Sequence, residues 1–311
     1  PLKPSDKVRC KNFFALGFMY YVYSRPLEPT LKFFEQKWGK RLPDLAQANS
    51  KVLKAGFNLG DTMETARNRY QVSKAPVQSG VYRKISGNEA MVYGLVAAAK
   101  LANRELLYSG YPITPASPIL EGLSQLKNFG VKSVQAEDEI AAMGVALGAS
   151  FAGDLTVCAT RGPGMCMKSE FIGLASITEL PLIICNVQRG GPSTGLPTKT
   201  EQSDLLQALF SRHGDCPIPV LAAHSPSDCF DCAIEAARIA ITYMTPVILL
   251  SDLYVANGSE PWLIPNVSDL PVIENSLAST DEEYVIYRRD PKTLARSQAI
   301  PGQAGLEHRI G

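Results

Sequence analysis

Lys132-Ser-Val-Gln135-Ala-Glu137-Asp138-Glu139-Ile-Ala-Ala-Met-Gly-Val-Ala-Leu-Gly-Ala-Ser-Phe151-Ala-Gly-Asp154-Leu155-Thr-Val-Cys-Ala159 is the stretch on which the fold turns. Lys132–Gln135 is a short β-rich run. Asp138–Phe151 is small and apolar on nearly every side, the mark of a helix buried by its neighbours. Leu155–Ala159 is β-rich again. A strand, a helix and a strand in that order make a βαβ unit, whose two strands lie parallel.

The same alternation extends in both directions. Upstream, the pattern predicts a helix over Gly87–Ala102, a strand over Glu105–Ser109 and a helix over Pro115–Asn128. Downstream it predicts a helix over Met165–Thr178, strands over Pro181–Val187 and Ile218–Ala223, a helix over Asp228–Tyr243 and a strand over Pro246–Ser251. The expected fold is therefore an α/β domain over residues 81–262, built on a parallel sheet of about six strands. Residues 1–80 read as helical, with apolar spacing over Arg9–Ser24, Leu27–Lys40 and Asp44–Ala55, and as a linker from Val72 to Gly80. Residues 263–311 carry several prolines and one candidate strand, Glu283–Tyr287, and read as a linker toward a further domain.

Composition excludes several function classes. The chain has 311 residues, 45% apolar and 20% charged, with 31 basic against 30 acidic side chains. A net charge of +1 and the lack of a basic, aromatic-interleaved stripe argue against nucleic acid as a partner. The apolar runs Pro181–Cys185 and Pro246–Leu250 fall far short of the roughly 20 residues a membrane helix needs. No secretory pattern opens the sequence, and seven scattered cysteines fit a reducing compartment, so the expected location is cytoplasmic.

Ligands of open parallel sheets gather at the carboxyl ends of the strands, and four exits carry unusual residues. Tyr111-Pro-Ile-Thr114-Pro115 is a stiffened turn, with Thr114 expected as a helix N-cap and Pro115 as the first helical residue. Gln135-Ala-Glu137-Asp138-Glu139 crowds three carboxylates at a helix start, where the dipole accounts for one or two. Arg161-Gly162-Pro163-Gly164 is a rigid bend that exposes backbone donors. The fourth, from Val187 to Ser203, is a long Gly- and Pro-rich loop with Arg189 at its head, where a guanidinium can meet a carboxylate bidentately.

In order, these motifs resemble the alpha subunit of 2-oxoacid:ferredoxin oxidoreductases, most closely those acting on 2-oxoglutarate. Val8-Arg-Cys-Lys-Asn-Phe-Phe-Ala-Leu-Gly17 and Arg25-Pro-Leu-Glu-Pro29 are similar to the end of the gamma-type domain that precedes the pyrimidine-binding domain in that family. The resemblance implies an α/β domain that binds the pyrimidine half of thiamine diphosphate. It implies a beta subunit that carries the diphosphate, Mg2+ and a [4Fe-4S] cluster. The reaction it implies consumes a 2-oxoacid and CoA and passes electrons to ferredoxin. Sister specificities toward pyruvate or a broad range of 2-oxoacids, and a noncatalytic assembly role, stay open.

Residue by residue, the resemblance gives Glu139 the hydrogen bond to the pyrimidine ring, with Glu137 as the competing assignment. It gives Arg189 the substrate carboxylate and Thr114 a hydroxyl near the substrate carbonyl. Tyr111, Pro112, Gly162 and Pro163 would border the cofactor, and Thr198 and Lys199 the substrate side chain, with Lys199 a candidate for a distal carboxylate. Arg161 departs from the Thr or Ser that many relatives carry there, and reads either as a solvent-facing change or as a second cation near the cofactor. No metal site is expected in this chain. Cys229-Phe-Asp-Cys232 has no second pair, and His213 and His224 have no ligand-spaced neighbours.

Overall fold

Three prolines, each in the first turn of a helix, open the helices of the amino-terminal unit. These are α1 (Pro4–Val22), α2 (Glu28–Trp38) and α3 (Pro43–Thr62), at the places the apolar spacing predicts but longer in α1 and α3. Helices α1 and α3 pack backbone to backbone. A Cβ on Gly17 would lie 2.0 Å from the Leu53 carbonyl oxygen, and one on Gly56 would lie 2.0 Å from that of Phe14. Phe34, fully buried, stacks edge-on against Phe13 with ring centroids 4.7 Å apart. The computed structural model describes residues 3–63, 68–275, 277–280 and 283–310, and the chain divides between Ser79 and Gly80.

The second unit begins with β1 (Tyr82–Ser86) and α4 (Gly87–Leu101), followed by β2 (Leu106–Gly110), α5 (Ser117–Ser124) and β3 (Val131–Gln135). Next come α6 (Glu139–Phe151), β4 (Leu155–Thr160), α7 (Gly162–Met167), α8 (Ser169–Ile177) and β5 (Leu182–Gln188). The series ends with α9 (Leu205–Phe210), β6 (Val220–Ala222), α10 (Asp228–Tyr243), β7 (Pro246–Asp252), α11 (Leu253–Asn257) and β8 (Ser259–Leu263).

Six strands form one parallel sheet in the order β3-β2-β4-β5-β7-β6. Its central strands are buried on both faces, yet the period of two still sorts their side chains. Val157, Ala159, Ile183, Cys185, Val247 and Leu249 pack with α4 and α10 on one side, whereas Cys158, Ile184, Ile248 and Leu250 pack with α6 and α8 on the other. At the carboxyl ends the second face turns polar, through Thr160, Asn186 and Gln188.

Two regions differ from the sequence reading. Strands β1 and β8 pair antiparallel as a separate two-stranded sheet, from Tyr82 opposite Leu263 to Ser86 opposite Ser259. The tail after Leu263, read as a linker, is fixed to the α/β unit by buried polar side chains. Arg104 donates to Asn275 Oδ1 at 2.7 and 2.9 Å and to Gln298 Oε1 at 2.7 Å, and Gln298 donates in turn to the Ser150 carbonyl at 2.6 Å. Arg296 donates to the carbonyls of Thr178 and Glu179 at 3.1 and 3.2 Å. Residues 283–287 are turn and irregular chain, not the expected strand, because the tail is held by these side chains and not by a sheet edge.

Candidate active site

Strand β2 connects outward to β3, while its other neighbour β4 connects outward to β5, so their carboxyl ends diverge and leave a crevice at the switch point. Four segments meet there: residues 111–116, 136–139, 161–168 and 189–204.

The three acids of the Glu137-Asp138-Glu139 junction take separate roles. Glu137 is exposed. Asp138 is the N-cap of α6, accepting from the Ala141 amide at 2.7 Å, which is the ordinary duty of an acid at a helix start. Glu139, the first residue of the helix, is only 5% exposed. No described residue hydrogen-bonds its carboxylate. Its main-chain carbonyl accepts from the Nζ of Lys168, a lysine with 0% exposure, at 2.8 Å. Gly164 closes over the same place: a Cβ there would lie 1.9 Å from Thr160 Oγ1 and 3.1 Å from Glu139 Cγ.

Arg189 lies at the end of β5 and is 8% exposed. It donates through Nη1 to the Thr114 carbonyl at 2.5 Å and through Nη2 to the Thr194 carbonyl at 2.7 Å. Thr114 is exposed in a turn and does not cap α5, whose N-cap is Ala116 and whose first-turn proline is Pro118. The expected cap fails because the helix starts two residues later, which leaves the Thr114 carbonyl to hold Arg189. Tyr111 and Pro112 are exposed beside it.

Arg161 is 2% exposed, which rules out the solvent-facing alternative. Its guanidinium reaches the Thr194 carbonyl at 2.8 Å and that of Ser193 at 3.4 Å. Burial, together with the nearby Arg189 charge, pulls its pKa below the usual arginine value, and Glu139 and Asp204 oppose that shift. Burial also lowers Arg189. Both arginines line a cavity of 430 Å3 together with Gly162, Pro163, Gly191, Ser193 and Asp204.

The long loop is folded onto the sheet. Asn186 donates to Asp204 at 3.0 Å, the Asp204 amide donates to Gln188 at 2.9 Å, and Gln202 donates to Asp252 at 2.6 Å. Within the loop, the Gly191 amide donates to Glu201 at 2.9 Å, and the Gly190 amide to the Lys199 carbonyl at 2.9 Å. Thr198 and Lys199 are exposed, outside the cavity lining. The structure thus brings Glu139, Gly162, Pro163, Arg189 and the Thr114 main chain together and leaves the Thr198 and Lys199 side chains at the loop surface.

Residues 98–311 match the family described as pyruvate flavodoxin/ferredoxin oxidoreductase, thiamine diP-bdg. The chain belongs to this family. It is 54% identical to 2-oxoglutarate oxidoreductase subunit KorA of Mycobacterium tuberculosis over 98% of its own length and 47% of that protein's. It is 37% identical to 2-oxoacid:ferredoxin oxidoreductase 1, subunit alpha, of Sulfurisphaera tokodaii, over 83% of the chain and 41% of the relative. A solved 2-oxoglutarate:ferredoxin oxidoreductase from Magnetococcus marinus, with 2-oxoglutarate, coenzyme A and succinyl-CoA bound, superposes with a TM-score of 0.84 at 32% identity. That superposition covers 97% of this chain and 52% of the other. The chain spans about half the length of the relatives it matches.

The residues present fit the pyrimidine end of the thiamine diphosphate for which this oxidoreductase family is described. A buried carboxylate with no hydrogen-bond partner among the described residues, packed against a glycine, is what an aminopyrimidine edge requires. Among the described residues, no three His, Cys, Asp or Glu side chains are grouped to hold a metal. Burial pushes the Cys229 and Cys232 thiols up to about 12, so neither is a thiolate at neutral pH. No helix among the described residues is long and apolar enough to cross a membrane. Sequence reading passed over Lys168, a lysine at the junction of two short helices beside Ser169 and Glu170, and Asp204, whose role depends on where the loop folds back.

Proposed function

We propose that this chain is the alpha-type subunit of a 2-oxoacid:ferredoxin oxidoreductase acting on 2-oxoglutarate. With a beta subunit it would convert the 2-oxoacid and CoA to acyl-CoA and CO2, passing two electrons to ferredoxin. The observation that carries the reading is Glu139, buried, with no hydrogen bond to its carboxylate among the described residues, and near enough to Arg161 to act on its charge, as Arg189 also is. Bound thiamine diphosphate supplies the nucleophilic carbon and the electron sink for decarboxylation. The diphosphate end, Mg2+ and the [4Fe-4S] cluster are assigned to the beta subunit.

The residues of this chain bind and orient. Glu139 would hydrogen-bond the pyrimidine ring, where burial keeps a charge-assisted bond strong. Lys168 fixes the main chain of Glu139 from below. Gly162, Pro163, Tyr111 and Pro112 would border the ring. Arg189, locked between two carbonyls, presents its remaining N–H groups to the substrate's 1-carboxylate, and much of its contribution is orientation. Thr114 would offer a hydroxyl near the keto oxygen, whereas Thr198 and Lys199, exposed and outside the cavity lining, are given no part in binding.

The full-length alpha chain, coexpressed with its beta partner, tests this by CoA-dependent viologen reduction with 2-oxoglutarate and pyruvate side by side. Reduction with 2-oxoglutarate preferred, reduced about 10²- to 10⁴-fold in Glu139→Gln, is expected. No reduction from a complex that retains thiamine diphosphate and its cluster would overturn the reading, as would full activity in Glu139→Gln.

A further inference from the structure

Two buried guanidiniums facing one cavity with no acid bonded to either is an unusual arrangement. Among the described residues neither Arg161 nor Arg189 forms a salt bridge, although each is more than nine-tenths buried. Instead both donate to a single oxygen, the Thr194 carbonyl, at 2.8 and 2.7 Å, so their Nη2 atoms lie no farther apart than the sum of those distances. Like charges that close repel, and burial raises the cost of each.

Main-chain carbonyls account for two of the five N–H groups on each guanidinium. The Nε atom of each is buried without a partner. What remains is a set of unfilled donors on the wall of a 430 Å3 cavity, whose lining also carries the Glu201 and Asp204 carboxylates, neither bonded to an arginine. A single carboxylate can fill the free donors of one guanidinium, and a dicarboxylate those of both.

Resting on the proposed 2-oxoacid reading, we propose that Arg161 is a specificity-determining residue that, beside Arg189, binds the second carboxylate of a dicarboxylic 2-oxoacid. Arg189 takes the carboxylate next to the keto group. Arg161 takes the distal one, since a five-carbon diacid separates its carboxylates by four carbon–carbon bonds, a span on the scale of the two guanidiniums. Lys199 competes for this role by charge, but it is exposed and outside the cavity lining. A monoanion leaves the free donors of Arg161 unfilled, and that difference is the source of discrimination.

The test uses the full alpha–beta complex with Arg161→Ser, Arg161→Lys and Lys199→Ala. The selectivity ratio, kcat/KM for 2-oxoglutarate over that for pyruvate, is expected to fall at least ten-fold in Arg161→Ser, less in Arg161→Lys, and to hold within three-fold in Lys199→Ala. Calorimetric titration with glutarate, an unreactive diacid, provides a readout independent of turnover and is expected to weaken at least ten-fold in Arg161→Ser. Parallel losses with both acids, or glutarate binding unchanged in Arg161→Ser, would overturn the proposal and leave Arg161 as a brace for residues 193–194. A Lys199→Ala variant that alone loses selectivity would do the same. Wild-type complex that turns over neither acid would fail the oxidoreductase reading, while loss of glutarate binding in Arg161→Ser would still support the clamp.

Discussion

Arg296→Met probes how the tail is held. Arg296 is 1% exposed and reaches three carbonyls, those of Thr178, Glu179 and Ser297, at 3.1, 3.2 and 3.2 Å, and the Glu179 carboxylate at 3.4 Å. Methionine fills much of the same volume, so the loss is polar. Removing one member of a buried pair costs about 3–5 kcal/mol when the other is stranded. Glu179 is not stranded, because Arg289 also holds it, at 2.7 Å. The remaining cost is that of carbonyls left without donors, about 1–3 kcal/mol each in full burial, and water reaches part of this site. A total of about 2–4 kcal/mol follows. In the alpha–beta complex, hydrogen exchange should accelerate in residues 277–300 by about 30- to 1,000-fold, at 1.4 kcal/mol per decade. Exchange in β4 and β5 should remain near wild type if the tail opens by itself. Wild-type protection of residues 277–300 in Arg296→Met would refute the argument that this guanidinium is the clasp.

Three further outcomes are expected. Gly164→Ala places a methyl 1.9 Å from Thr160 Oγ1 and 3.1 Å from Glu139 Cγ; it should cost about 1–3 kcal/mol in denaturant titrations and weaken thiamine diphosphate binding, and wild-type values for both would contradict the packing. Arg189→Lys keeps the charge and loses the fork that spans the Thr114 and Thr194 carbonyls, so kcat/KM should fall for 2-oxoglutarate and pyruvate alike, a pattern unlike that of Arg161→Ser. Glu89 accepts from the Ser86 amide and hydroxyl at 3.0 and 2.9 Å, and that amide bond is the main cause of a pKa below the usual carboxylate value. Its contribution is therefore complete at neutral pH and lost as pH falls below about 4.3; Glu89→Gln keeps the capping box and should flatten that part of the stability–pH curve.

The sheet was legible because its signal is local. Each strand of the parallel core is a short β-rich run followed by a helical run, and α10 occupies the residues its spacing predicts, Asp228–Tyr243. Two partners set by long-range contact were not legible. β1 meets β8 across more than 170 residues, and neither strand carries a hairpin turn to announce the other. The tail has no periodicity to read, since single buried side chains such as Arg296 and Gln298 hold it. At the site, the residue types at the strand exits were readable, but burial was not. Glu139 was assigned with Glu137 as its competitor, and it is the path of α6 that makes Glu137 exposed and Glu139 buried. Thr114 was misread because Thr-Pro is a sound N-terminal signal, and the helix begins at Ser117 instead.

The shared grip of Arg161 and Arg189 on the Thr194 carbonyl also makes the loop a clock that chemistry can read. An arginine-directed dicarbonyl reagent reaches exposed side chains such as Arg9 and Arg25 at once. The two buried guanidiniums react only as fast as the cavity admits the reagent and residues 193 and 194 let go of them. Peptide-resolved adduct formation over time would then count the openings of the loop, and any anion that fills the cavity would slow the count.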